Sequence, residues 1–386
     1  MLAIAASSFN KPSETFVRDH VRTLAPQETI LLCQDAQGAE RFGRPILSDF
    51  ASWPPPRSLQ ARVFNGIRRQ WGLWTVLGLG VADRRRVLDF FAAHRAKALL
   101  AEYGMIGCVF MRACEEAKVP FYVHFHGFDA SILLRDWRWV RHYRALFQKA
   151  AGIIAPSRFL AGKLLEIGCP EAKLHVSPCG IDPIGFTPTR RLPQRIVAVG
   201  RLVEKKAPHL TIAAFGRIAR YYPEAVFDIV GDGRLGSRCR ALIQDLGLAD
   251  RVRMHGVQSS DFVAGLMQEA CLFVQHSVTA RNGDAEGLPV AILEAMACAL
   301  PVVSTRHSGI PEAVEDGMTG LLVDEHDVEG MAAAMAELLD NPDRAAAMGA
   351  AGRQRVLQHF TLDHTRDRLR AIMGFPSFVG AEARVT

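Results

Sequence analysis

Residues 195–324 carry six short apolar runs whose reading decides the fold: RIVAVG (Arg195–Gly200), VFDIVG (Val226–Gly231), VRMHGV (Val252–Val257), CLFVQHS (Cys271–Ser277), PVVST (Pro301–Thr305) and GLLVD (Gly320–Asp324). Helical patterns lie between them, and the connections are short. Strands alternating with helices predict a parallel sheet covered on both faces. Upstream the same alternation recurs. LAIAAS, ETILLCQ, PFYVHFHG, AGIIAPS and KLHVSPCGI read as strands, and Phe16, Val17, His20, Val21 and Leu24 share one helical face. Between the halves, IDPIGFTPTRRLPQ holds three prolines and little periodicity, so it reads as a linker. The expected organisation is an N-terminal domain over 1–185, a linker over 186–194 and a second domain over 195–360. A helix and tail over 361–386 is expected to pack back toward the N-terminal domain. The expected fold class is α/β, with two Rossmann-like doubly wound domains facing a cleft, where ligands bind outside the carboxyl ends of the strands.

The chain has 386 residues, of which 49% are hydrophobic and 22% charged, as in a globular protein with sizeable cores. Eight cysteines form no CxxC pair and no zinc-ligand spacing, so they read as buried small hydrophobes in a reducing compartment. The opening apolar run, Leu2–Ala6, lacks the regions of a signal peptide, and the twelve residues Trp71–Ala82 are too few to span a bilayer. A cytoplasmic location is therefore expected. The net charge of +6 is uneven. Between Arg57 and Lys97 nine basic residues face two acids, with Trp71 and Trp74 among them. Such a segment suits an anionic membrane surface, or else a solvated helix face with its apolar side in the core. No nucleic-acid partner is expected.

From Gly287 to Val303 (GLPVAILEAMACALPVV) the only charged side chain is Glu294. Pro289 suits a first helical turn, and Pro301 stops the helix near Ala299. A carboxylate on a largely buried helix is costly unless it is hydrogen-bonded. Either a structural pairing or the hydroxyls of a ligand, such as a ribose, answer that cost. Glu286 lies just before the helix, roughly 10 Å from Glu294 along the axis. The helix N-terminus between them offers free N–H groups and a positive dipole end suited to phosphate. Strand RIVAV runs into Gly200, Arg201 and Leu202, then Glu204, Lys205 and Lys206. Arg201 and Lys206 can bring two cations to one anion, or they are simply solvated.

These segments together resemble the retaining glycosyltransferase family 4, which has the GT-B fold. Glu286-Gly287-Leu288-Pro289 to Glu294 is similar to its E-x7-E motif, and Gly200-Arg201-Leu202 with Lys206 to its G-R-L-x-x-x-K segment. VSPCGIDPIGFTP, IVGDGRL with VRMHGV, and SGIPEAVEDGMTGLLV also match its pattern. The likeness runs over almost the whole chain and is strongest from 120 to 330. It implies that Arg201, Lys206 and the backbone near Leu288 and Pro289 hold the donor diphosphate. It further implies that Glu294 binds the ribose, that Glu286 contacts the transferred sugar and that Gly231 and Val257 line the base. The co-substrate is then a nucleotide-diphosphate sugar and the acceptor a saccharide or lipid-linked saccharide, as in bacterial surface polysaccharide synthesis. No cofactor and no metal are expected, and the sequence lacks an Asp-x-Asp metal motif. Replacing Glu294 or Lys206 by Ala is expected to abolish transfer with the fold intact.

PFYVHFHG delivers His124 and His126 to one face, with Asp129 close behind. Two histidines there are either satisfied structural residues or functional ones, and no third metal ligand is evident. His126-Gly127-Phe128-Asp129 is similar to the family's H-G-x-D, whose histidine approaches the transferred sugar. His126 and Glu286 are thus the catalytic candidates, in the sense of positioning and charge stabilisation. Ser13 in Asn10-Lys11-Pro12-Ser13-Glu14-Thr15-Phe16 caps a helix, and that helix start can also face the donor or acceptor. Many family members have a glycine pair here, whereas this chain resembles a subgroup with S-E-T-F found in exopolysaccharide and lipopolysaccharide assembly. Gly231-Asp232-Gly233-Arg234-Leu235-Gly236 matches GxGxxG, but Asp250 precedes the next strand instead of ending it, against a dehydrogenase. A UDP-sugar 2-epimerase shares the expected fold but not the EGLP-to-Glu294 spacing. A non-catalytic scaffold is disfavoured by the retained site residues.

Overall fold

A computed structural model describes residues 1–11, 14–50, 78–189 and 191–376. Ser13, Trp71, Trp74 and the basic residues 57–69 lie outside the described residues. The chain divides into two compact units. One comprises Met1–Ser177 with the chain from Thr365 onward, and the other Pro178–His364. The division thus falls at Ser177/Pro178, ahead of the expected boundary at 185.

The first unit is built on a parallel sheet of seven strands: β1 (Leu2–Ser8), β2 (Thr29–Asp35), β3 (Ile46–Leu47), β4 (Ala98–Glu102), β5 (Phe121–His124), β6 (Gly152–Ala155) and β7 (Leu174–Val176). Their order is β3-β2-β1-β4-β5-β6-β7. Alternation along β1 sends Ala3 and Ala5 to one core, with Phe110, Phe125 and Phe147. Leu2, Ile4 and Ala6 go to the other, with Val17, Val21 and Leu24. Leu369 of the C-terminal helix Leu362–Ile372 completes that second core, and Arg370 donates to the Leu24 carbonyl. Both β3 and β4 are additions to the strands read from sequence.

Six strands form the second sheet: β8 (Arg195–Val199), β9 (Val226–Val230), β10 (Val252–Met254), β11 (Leu272–Gln275), β12 (Val302–Thr305) and β13 (Gly320–Val323). They are the six runs of residues 195–324, and all pairings are parallel, in the order β10-β9-β8-β11-β12-β13. Leu272 and Val274 face one core, while Phe273 faces the other with Ile292 and Leu293. Within the stretch expected as a linker, Thr189 and Leu192 are bonded to this unit. Thr189 donates to the Gln268 carbonyl and Leu192 N–H to that of Glu269.

In each sheet the strand order reverses beside the first strand, between β1 and β4 and between β8 and β11. The carboxyl ends flanking such a reversal open a crevice for ligands. Among the described residues no helix is long and apolar enough to cross a membrane. In the described part of the basic segment, helix Val81–Ala93 buries Val87 and Phe91. Its Arg84, Arg85 and Arg86 pair with Glu116, Asp89 and Asp83.

Candidate functional site

At the reversal of the second sheet, β8 runs into Gly200 and β11 ends in Gln275. The turn after Gly200 exposes Arg201 and then winds through a short helix, Glu204–Lys206. Lys206 Nζ lies 3.4 Å from Glu286 Oε2 and donates to Gln275 Oε1 at 3.3 Å. Lys205 is buried as well. Its Nζ reaches Asp284 Oδ1 at 3.0 Å and the Ala285 carbonyl at 3.2 Å, and it stands 4.0 Å from Glu286 Oε1. Burial, with the Lys205 and Arg201 charges beside it, holds the Lys206 ammonium below its usual range despite the attraction of Glu286. Burial opposes the ionisation of Glu286, yet Lys206, Lys205 and His307 keep its carboxyl below the ordinary range. Oε1 of Glu286 is buried without a hydrogen-bond partner, an acceptor ready for a ligand hydroxyl.

The Glu286 backbone is clamped. Its N–H donates to His307 Nε2 at 3.1 Å, and Ser308 Oγ donates to its carbonyl. His307 Nδ1 pairs with Glu325 at 2.5 Å, which leaves Nε2 bare to accept. The following helix is Val290–Ala297, shorter than expected, because Ala299 turns left-handed at φ 56° before Pro301. Pro289 is its N-cap residue and not its first turn. It has no N–H, so the donors aimed out of this helix start are those of Val290 and Ala291. Leu288 is buried. Glu294 is only partly buried, so the desolvation argument made for it from sequence is weaker than expected, though it sits on the helix as the spacing predicts.

Gly231 has a structural reason of its own. Its φ is 130°, and a Cβ there would stand 2.0 Å from the Gly200 carbonyl oxygen. Gly231 and Gly233, where a Cβ would stand 2.5 Å from the Leu202 oxygen, let the chain after β9 press against the Gly200–Leu202 turn. Val257 is exposed on the same side of the chain as the Gly231–Gly256 bridge.

The reversal of the first sheet holds a second cluster. Glu102, the last residue of β4, is fully buried and in register with His124 of β5. Glu102 Oε1 lies 2.6 Å from His20 Nδ1, and Oε2 lies 3.1 Å from His126 Nε2. His124 is fully buried and stacked on His20 at 5.4 Å, and burial first of all pushes its imidazolium form well out of reach. Burial disfavours the Glu102 carboxylate, but His20 and the hydrogen bonds from His126 and His20 outweigh it, and its carboxyl lies well below the usual range. His126 is nine-tenths covered by Phe16 at 4.2 Å and Tyr103 at 4.7 Å. Tyr103 carries φ 79°, a strained value for a side-chain-bearing residue. Asp129 is not a ligand-facing group: its Oδ1 accepts from His126 N–H at 2.7 Å and its Oδ2 from Gly104 N–H at 2.6 Å. With both oxygens on backbone donors it fastens the turn that carries His126. Burial nevertheless pushes its carboxyl up to about 6. Asn10 is exposed beyond β1, against Gly38. Glu102, His20, Lys205, Gln275 and His307 were not singled out from sequence.

Two doubly wound parallel sheets, the second with a cation–carboxylate site at its reversal, define a protein of the GT-B class. The solved Anabaena HepE, in complex with UDP and glucose, superposes with TM-score 0.77 at 19% identity, over 97% of this chain and 99% of that one. Sucrose-phosphate synthase from Thermosynechococcus elongatus does so with 0.75 at 17% identity, over 96% and 97%. The family models for glycosyltransferase family 4 and glycosyl transferases group 1 match residues 13–184 and 189–355. The Escherichia coli K12 protein assigned to colanic acid biosynthesis as glycosyltransferase WcaL is 33% identical over 79% of this chain and 78% of its own. The Erwinia amylovora amylovoran biosynthesis glycosyltransferase AmsK is 35% identical over 61% and 59%. A Corynebacterium glutamicum GDP-mannose-dependent mannosyltransferase acting on a monoacylated phosphatidylinositol monomannoside is 35% identical over 93% of each. The chain belongs to glycosyltransferase family 4.

Proposed function

We propose that the protein moves a sugar from a nucleotide-diphosphate sugar to a saccharide or lipid-linked saccharide in the assembly of a bacterial surface polysaccharide, with retention of configuration and without a metal. The observation that carries this reading is the cluster at the second reversal. Lys206 and Lys205 flank a buried carboxylate that keeps one oxygen unpartnered, and the Arg201 charge bears on Lys206. Arg201 and Lys206 would hold the diphosphate, assisted by the N–H groups of Val290 and Ala291. The unpartnered oxygen of Glu286 would accept from a hydroxyl of the transferred sugar, and Glu294 would take the ribose. In the reaction the anomeric carbon–phosphate oxygen bond breaks as the acceptor oxygen bonds to that carbon from the same face. The acceptor proton passes to the leaving diphosphate. Fixed cations stabilise the negative charge that grows on that diphosphate. His126 would touch the transferred sugar. The polysaccharide assignment leans on WcaL and AmsK, and the lipid-linked alternative on the mannosyltransferase.

A thermal-shift panel of UDP-, GDP- and ADP-sugars tests the donor grip through binding linkage. One nucleotide class should raise the melting temperature of the wild type and not that of Lys206→Met. No shift with any of them would refute the reading. With the stabilising donor, the anomeric coupling of the product by NMR tests retention. An undiminished rate in a chelator tests metal independence.

A further inference from the structure

We propose that Glu102 is the positioning residue of His126, accepting a hydrogen bond from its Nε2–H so that Nδ1 is the atom presented to the sugar. The inference rests on the reading that His126 touches the transferred sugar. Its basis is geometric. Glu102 is fully buried, ends β4 at the reversal of the first sheet and divides its two oxygens between two rings. An ionised carboxylate has no proton to give, so His20 must place N–H on it through Nδ1 and His126 through Nε2. The other ring nitrogen of His126 has no partner among the described residues, yet it is not among the buried unpartnered atoms. It is therefore the polar atom that the tenth of the His126 side chain left uncovered opens outward. Phe16 and Tyr103 hold the ring plane, and Asp129 anchors its backbone. The strained φ of Tyr103, directly after Glu102, is the backbone cost of turning the chain at this point.

The groups facing Glu102 are His20 from helix Thr15–Thr23, His124 from β5 and His126 from the turn after it. His20, Glu102 and His124 bring ligand atoms within 4.8 Å of one another, but one pair here is closer than metal ligands stand. His20 Nδ1 and Glu102 Oε1 are 2.6 Å apart. Tetrahedral ligands about 2.0–2.1 Å from zinc would stand roughly 3.3 Å from each other. In this arrangement His20 and His126 are hydrogen-bonded to Glu102 and not spaced about an ion.

The test uses the full chain labelled with 15N-histidine, with His126 assigned by its loss in His126→Gln. In the wild type, His126 should be protonated on Nε2 and pyridine-like on Nδ1. In Glu102→Gln, the amide donates to Nε2 and the signature should swap or mix. With the stabilising nucleotide sugar, Glu102→Gln should lower kcat about 10²-fold, with donor KM within a few-fold, as expected when an orienting group is lost. His20→Gln, which spares the His126 bond, should lower it far less. If His126→Gln cripples transfer while Glu102→Gln keeps the wild-type kcat and tautomer, the positioning role is overturned and the reading of His126 stands. If His126→Gln keeps wild-type kcat, the sugar-contact reading falls, and the tautomer alone decides the geometry. Should Glu102→Gln fail to fold, the wild-type spectrum still decides: a proton on Nδ1 with Nε2 bare overturns the inference. One equivalent of zinc in the purified protein would overturn it too.

Discussion

Replacing Lys206 by Met removes a cation from a pair whose geometry allows its contribution to be worked out. Lys206 Nζ and Glu286 Oε2 are 3.4 Å apart, with side chains only 14% and 9% exposed. At an effective dielectric of about 20 the attraction at that distance is ~5 kcal/mol. Desolvation of both charges takes back much of it, so a coupling of about 2 kcal/mol is expected from a double-mutant cycle. Lys206→Met alone leaves Glu286 with Lys205 at 4.0 Å as its remaining cation. The second unit should lose about 3 kcal/mol, the low end for breaking a buried pair. Glu286→Gln added to Lys206→Met should recover a good part of that loss. All five tryptophans, at 53, 71, 74, 137 and 139, lie in the first unit's stretch of chain. Fluorescence would therefore miss the effect. Urea unfolding followed by circular dichroism, with amide exchange read on β8 and β11, is the suitable assay. Transfer should fall about 30–150-fold, the loss of one charge-assisted contact to the diphosphate. If the two substitutions add within about 0.3 kcal/mol, the pair is not coupled and the reasoning fails.

His307→Ala should leave the buried Glu286 N–H unpaired, cost about 1–3 kcal/mol and weaken donor binding; an unchanged melting temperature and donor affinity would count against the clamp. Gly231→Ala, with a Cβ 2.0 Å from the Gly200 oxygen and φ 130°, should displace the Gly200–Leu202 turn and abolish donor-induced stabilisation, whereas Gly185→Ala, which meets nothing within 4 Å, should not. Glu102 has a depressed folded-state carboxyl, so its contribution is present above the unfolded value of about 4.5 and is lost as pH falls below it. The stability difference between wild type and Glu102→Gln, about 2–3 kcal/mol at neutral pH, should shrink as pH falls from 5 to 3; a difference constant with pH would contradict the pairing.

The sequence made the second sheet legible because its strands are mainly apolar runs set off by helices of clear period. Strand β4 is as apolar, but it follows directly on Arg95 and Lys97, and the basic character of that stretch masked it. With the strand went Glu102, a carboxylate closing the fully apolar run ALLA, which is the one signal that could have marked it. Lys205 looked like one more solvated base beside Lys206. Only the winding of Glu204–Lys206 against Asp284 buries it. Asp129 shows the opposite case: spacing put it beside His126, but nothing in spacing reveals that two backbone N–H groups use both of its oxygens. Glu294 was placed by an argument from burial that the partly exposed side chain does not sustain. It keeps its place in the motif on position alone.

The two reversals differ in how they answer a buried carboxylate, and the difference separates their ligands. At β8 and β11 the counter-groups are the Lys205 and Lys206 ammonium ions, which can be drawn toward a more highly charged anion. A diphosphate arriving beside Lys206 would compete with a single carboxylate oxygen at 3.4 Å for the same cation. At β1 and β4 the counter-groups are imidazoles hydrogen-bonded to Glu102, one of them packed between Phe16 and Tyr103. Lys11, beyond the end of β1, is held by Ser7 Oγ and Glu14, and the carboxylate behind His126 would repel a phosphate. What such a ring can offer is a single oriented nitrogen to a neutral hydroxyl. Under the proposed function, this contrast in charge favours the second reversal for a diphosphate and suits the first to an uncharged hydroxyl.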